Sequence, residues 1–178
     1  TEQVKNEEKP KDKSAKDVPK KVPVPDNWVY TYDDVKGYGF KVPQGTTADY
    51  KTINGASYYE AWTPDPADVW VLVSAWKDKT LTKDDLLKKA KEALESYGET
   101  VTLGPLQSLS DDYGLAEATS TDGDGRKWKT KILVGTDVSD NYLMIVSAEE
   151  GKYEANKDVL EAIWGSFEMW SGGASGKS

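Results

Sequence analysis

Cysteine and histidine are both missing from this chain of 178 residues. Without cysteine there are no disulfides and no thiol nucleophile. Without either residue, Ser-His-Asp and Cys-His arrangements and the usual zinc and copper ligands are excluded. Two chemistries survive: hydrolysis carried by carboxylates alone, and calcium held by oxygen ligands. The absence of cysteine does not choose between a reducing and an oxidising compartment. No apolar run is long enough to span a bilayer.

Hydrophobic residues are also scarce, at 37%, with only two Met and two Phe. Seven Trp and ten Tyr supply much of the apolar area instead. Charge is plentiful and mostly negative, with a net of −8. Residues 1–25 run against that trend, with seven Lys and five acids, so setting their +2 aside leaves the remainder at −10. An acidic body of that kind is a poor partner for nucleic acid, whose phosphates need clustered Lys and Arg.

"TEQVKNEEKPKDKSAKDVPKKVPVP" has no apolar periodicity, and prolines at 10, 19, 23 and 25 keep it extended. Such a segment buries too little apolar surface to offset its backbone entropy. The pattern therefore predicts a disordered tether over residues 1–26, a single domain over 27–170, and a flexible Gly/Ser tail over 171–178. Two readings of the tether stand: a plain solvated tail, or the spacer of a surface lipoprotein whose lipid-bearing cysteine lies upstream of Thr1. The second makes the membrane a partner only through that anchor and places the domain outside the cytoplasm.

Within the domain, "NWVYTYDD" (27–34) and "GYGFKVP" (37–43) read as short strands, and "YYEAWTPD" (58–65) alternates until a Pro-Asp-Pro turn. "VWVLVSAW" (69–76) is apolar at both parities, which predicts a strand covered on both faces. Thr82 as N-cap with Asp85 three residues later opens a helix. Its apolar stripe is Leu86, Ala90, Ala93, Leu94 and Tyr97, and Gly98 is its stop. After it come strands at 114–121, 127–134 and 142–148, then a closing helix around 154–167 with Val159, Leu160, Ile163, Trp164 and Phe167 at helical spacing. The expected fold is α+β, an antiparallel sheet with helices on its faces.

That order of elements, with "YGFKVP", "VLVSAW", "TLTKDDLLKKAKEAL" and "YLMIVSAEEGKYEANKDVLEAIWGSF", resembles the PsbP-like fold superfamily across roughly residues 28–170. The resemblance implies a central antiparallel sheet flanked by helices, an α/β/α sandwich. It further implies a non-enzymatic binding or accessory role without a cofactor. Plant and cyanobacterial members assist the oxygen-evolving photosystem, and bacterial relatives are often exported lipoproteins. The photosystem members use basic, histidine-containing surfaces, and this chain departs from them in having no histidine.

Three sets of residues are candidates for a site. "TSTDGDGRKWKTKI" (119–132) places Asp122 and Asp124 among glycines, as a calcium loop begins. With Gly125 at the sixth loop position, the twelfth, which needs a bidentate Glu, is Lys131. With Asp122 at the first position, the twelfth is Leu133. A hairpin explains the stretch better, with Thr121 paired to Arg126 across a four-residue loop and Gly123 and Gly125 at positive φ. On its second strand Lys127, Lys129 and Lys131 then form a solvated row that protects an edge.

The tryptophans are the second set. Trp70, Trp76 and Trp164 lie in strongly patterned elements and read as core, whereas Trp62 and Trp128 neighbour polar residues and are candidates to stack a sugar or other flat ligand. The third set is the adjacent acidic pairs Asp33/Asp34, Asp84/Asp85, Asp111/Asp112 and Glu149/Glu150. Neighbours on a strand point to opposite faces, so turns and caps explain these pairs better than catalysis does.

Overall fold

A computed structural model describes residues 23–77, 80–136 and 141–169. Nearly all of the expected tether, the tail at 171–178 and Trp170 lie outside the described residues. Among the described residues the strands are β1 Val29–Asp33, β2 Tyr38–Val42, β3 Thr47–Ile53, β4 Ala56–Trp62, β5 Trp70–Trp76, β6 Thr100–Leu103, β7 Gln107–Ser108, β8 Tyr113–Thr121, β9 Lys127–Thr136, β10 Asn141–Glu149 and β11 Glu168–Met169. The helices are α1 Lys83–Ser96, α2 Glu150–Tyr153 and α3 Lys157–Ser166. All pairing is antiparallel. The main sheet has the order β3-β4-β5-β10-β9-β8-β6, with β7 also on β8, and β1-β2-β11 form a small second sheet. The chain is α+β and dominated by sheet, more so than an even sandwich of helix layers.

Both faces of the main sheet are covered, as the double parity of β5 requires. Val69, Val71, Val73 and Ala75 face one core cluster, and Trp70, Leu72 and Trp76 face the other. The second cluster is closed by α1. Its capping box is formed as expected: Asp85 N–H donates to Thr82 Oγ1 at 3.0 Å, and Thr82 N–H donates to Asp85 Oδ2 at 2.9 Å. The cap itself is worth about 1 kcal/mol, but burial does more. Leu86, Ala90, Ala93 and Leu94 are fully buried, and each leucine contributes on the order of 2 kcal/mol. Gly98 ends the helix with φ 85°.

The other face is closed by shorter pieces: β2 with Tyr38, Phe40 and Val42, and the two terminal helices. The closing helix expected around 154–167 starts at Lys157, and a separate short helix, α2, precedes it across Glu154–Asn156. Asn156 is the reason. Its side-chain amide donates to Lys152 O at 3.1 Å and its N–H to the carbonyls of Lys152 and Tyr153, which completes α2. Its own carbonyl then accepts from Leu160 N–H to begin α3. Leu160, Ile163 and Trp164 are buried at helical spacing as expected.

Strand β3 was not legible in the sequence. Six of its seven residues are exposed, so it has no apolar pattern. It is held by a two-residue turn in which Asn54 (φ 50°) and Gly55 (φ 80°) both take positive φ, and Ile53 pairs with Ala56.

The β8–β9 hairpin is present, but one residue out of the expected register. Thr121 pairs with Lys127, so the loop is Asp122–Arg126. Only Gly125 takes positive φ, 84°, whereas Gly123 does not. The lysine row is corrected more strongly. Strand β9 lies between β10 and β8, not at an edge. Lys129 sits over the Tyr153 ring and Lys131 over the Trp164 ring, 5.2 and 5.3 Å from the centroids. Lys131 is only 11% exposed and pairs with Glu161 at 3.5 Å. These two aliphatic stems form part of the sheet's covered face, with the ammonium groups at its margin.

Candidate functional site

On the α1 side of the sheet, beyond the last turn of α1, four aromatic rings meet. Trp62 stands directly opposite Trp70 across β4 and β5, which puts both on one face. Along the same row lie Ser147 of β10 and Thr130 of β9, both small and buried, joined through their hydroxyls at 2.8 Å. Two residues before Thr130, Trp128 projects from the same face. With Ser147 and Thr130 small beyond Trp70, the rings of Trp62 and Trp128 come within 6.1 Å at 63°. Trp70 lies 6.3 Å from Trp62 and 5.1 Å from Tyr97, the latter pair edge to face.

Carboxylates hold these rings in place. Glu60 Oε2 accepts from Trp70 Nε1 at 2.7 Å and from the Tyr97 hydroxyl at 3.0 Å. Burial, reinforced by Glu60, raises the pKa of the Tyr97 hydroxyl and keeps it a donor. Glu99 accepts from Ser120 Oγ, and burial pushes its pKa above the ordinary Glu value. Asp122 Oδ2 accepts from Trp128 Nε1 at 3.0 Å, while Oδ1 accepts from the N–H groups of Asp124 and Arg126, both at 2.9 Å. The Trp128 bond is the main reason the Asp122 carboxyl is held below its usual pKa.

Both tryptophans singled out from the sequence, Trp62 and Trp128, are thus brought together. Trp62 is 39% exposed. Among the described residues its indole N–H has no hydrogen-bond partner. Asp122 and Asp124 are brought together differently. Asp122 closes the turn and anchors an aromatic, and Arg126 lies 3.5 Å from Asp122 and 3.4 Å from Asp124. A guanidinium therefore occupies the space between the carboxylates. No group of three or more His, Cys, Asp or Glu that could hold a metal is found among the described residues.

Glu60, Glu99 and Tyr97 were missed as members of this site. Glu60 and Trp62 share a strand face by their i, i+2 spacing, which was a usable signal. Tyr97 and Glu99 flank Gly98, the stop of α1, and nothing local to them points toward β4.

Placed beside known proteins, the chain matches no family model and no curated protein sequence. Its architecture is that of the PsbP-like fold. The cyanobacterial PsbP (CyanoP) of Synechocystis sp. PCC 6803 superposes with a TM-score of 0.57 at 17% identity, over 81% of this chain and 93% of that one. A Bacteroides thetaiotaomicron protein gives 0.51 at 11% identity over 82% of this chain, which spans only 50% of that protein's length. LpqN of Mycobacterium tuberculosis, described as involved in cell envelope biogenesis, gives 0.42 at 15% identity, over 83% and 81%. At these identities the likeness concerns the fold alone.

Proposed function

We propose that this chain is a non-catalytic binding domain, exported and tethered by its charged, proline-containing N-terminal segment to a lipid anchor upstream of Thr1. Its ligand surface is the corner between Trp62 and Trp128, and the ligand class is a saccharide or another compact ring with one apolar face. The carrying observation is the meeting of these two indoles from β4 and β9, with Trp62 open to solvent. Two rings at 63° offer adjoining faces on which the C–H face of a sugar stacks. The exposed side chains of Arg126 and Asp124 and the Trp62 N–H supply polar groups for its hydroxyls.

The non-catalytic part of the reading is supported by the state of the acids. Glu60, Glu99 and Asp122 each accept hydrogen bonds that position a ring or a strand, which leaves them as supports. The fold serves this role as a sheet platform with helices packed on both of its faces.

Titration with cello-, xylo- and chito-oligosaccharides, followed by tryptophan emission, tests the proposal. Wild-type emission shifts on saturation with at least one series, and Trp62→Ala abolishes the shift without changing the melting temperature. An unresponsive wild-type protein, or an undiminished response in Trp62→Ala, removes the reading. The tether is tested separately by the coding sequence upstream of Thr1, where a signal peptide followed by cysteine is expected.

A further inference from the structure

The opposite face of the sheet carries a groove of about 460 Å³ that the aromatic corner does not use. Its floor is β8 and β9 where Glu117, Thr119, Lys129 and Lys131 point away from α1, and its walls are the start of α3 and the end of β6. That volume lies within the range of small-molecule sites. Three lysines line it in a chain whose net charge is −8. Lys131 is committed to Glu161. Among the described residues, Lys129 and Lys157 have no carboxylate within ion-pair distance.

Tyr153 adds a second, independent sign. Its ring is largely buried beneath the same groove, and its hydroxyl is left open to the groove. Burial, with Glu117, Glu161 and Glu154 around it, pushes its pKa up to about 12, so the hydroxyl remains a donor. Trp164 Nε1, under the Lys131 ammonium, is buried and unpartnered among the described residues.

We infer that this groove binds a small hydroxylated monocarboxylate, a sugar acid, with Lys129, Lys157 and Tyr153 taking the carboxylate. Glu117 and Glu154 on the same walls disfavour a dianion such as phosphate and are matched to accept hydroxyl protons from the rest of the ligand. Thr102 and Thr119 extend that polar lining. The site stands on the other side of the sheet from Trp62 and does not depend on the reading given to that corner.

Calorimetric titration of the full chain with D-glucuronate, with D-glucose and inorganic phosphate as comparisons, tests the inference. Saturable glucuronate binding is expected, tighter than any binding of glucose. The double variant Lys129→Ala/Lys157→Ala should weaken it by at least about ten-fold, the scale of one charge-assisted bond. Tyr153→Phe, which keeps the ring, should weaken it by a smaller factor. Absent glucuronate binding, equal affinity in a folded double variant, or tighter binding of phosphate than of glucuronate would each overturn the assignment.

Discussion

The two faces of the main sheet solve the same problem with different means. On one, a single well-capped helix of 14 residues lays a continuous apolar stripe over β8, β9 and β10. Every indole and phenol hydroxyl at its end that bonds a side chain does so to a carboxylate. On the other, two short helices and a three-stranded sheet share the covering, lysine stems fill part of the gap, and a buried indole N–H is left unpartnered. Strand β9 makes the contrast visible within one run of residues. Trp128, Thr130 and Ile132 serve the first face, while Lys129 and Lys131 serve the second. A sheet covered on both sides thus carries one face specified by dense packing and one that keeps polar and cationic groups at its margin.

The largest expected effect probes the packed face. Leu94→Ala should cost about 3 kcal/mol, because the residue is fully buried under a helix that cannot collapse into the space. Lys131→Met on the other face keeps the stem over Trp164 and loses a largely covered ion pair and the cation over the ring, so its cost should stay below that of Leu94→Ala, at about 2 kcal/mol. Urea denaturation of both variants measures the difference, and equal costs would erase the contrast.

A sharper test comes from paired indole substitutions. Trp70→Phe strands Glu60 without its 2.7 Å donor and should cost about 2 kcal/mol. Trp164→Phe removes an N–H that has no partner, so the same change of ring should cost clearly less. If the two variants lose equal stability, the polar contrast between the faces is wrong.

The smallest effect lies at the hairpin. The Asp122 carboxyl is held below its usual pKa, chiefly by Trp128. Its contribution to stability is therefore complete above the ordinary Asp pKa and disappears as pH falls through the lower, folded-state value. Asp122→Asn should flatten that part of the acid limb in a plot of melting temperature against pH. An unchanged limb would separate the turn from the aromatic corner.

How much of this was legible in the sequence depends on the range of the information needed. The capping box of α1, the double parity of β5 and the apolar spacing of α3 are local, and each emerged where expected. Strand β3 stayed hidden because an edge strand exposed at six of seven positions carries no apolar period, although Asn54-Gly55 was a usable turn signal. The lysine row looked solvated because alternation shows which residues share a face and not what covers that face. Trp62 and Trp128 could be singled out from their polar neighbours. Their meeting could not, since it depends on the strand order β4-β5-β10-β9 and on small residues at Ser147 and Thr130.

Strand β3 also gives the molecule a convenient measuring point. A cysteine placed at exposed Thr52 would be the only thiol in a chain that otherwise has none. Thr52 faces Ser57 across the hairpin, and Trp62 ends the same strand as Ser57. At about 3.3 Å per residue, a label there stands roughly 17 Å from the exposed indole, within range for energy transfer. Site-selective labelling of the outer arm of the sheet thus turns occupancy of the aromatic corner into a distance-sensitive optical signal, with both packed faces left intact.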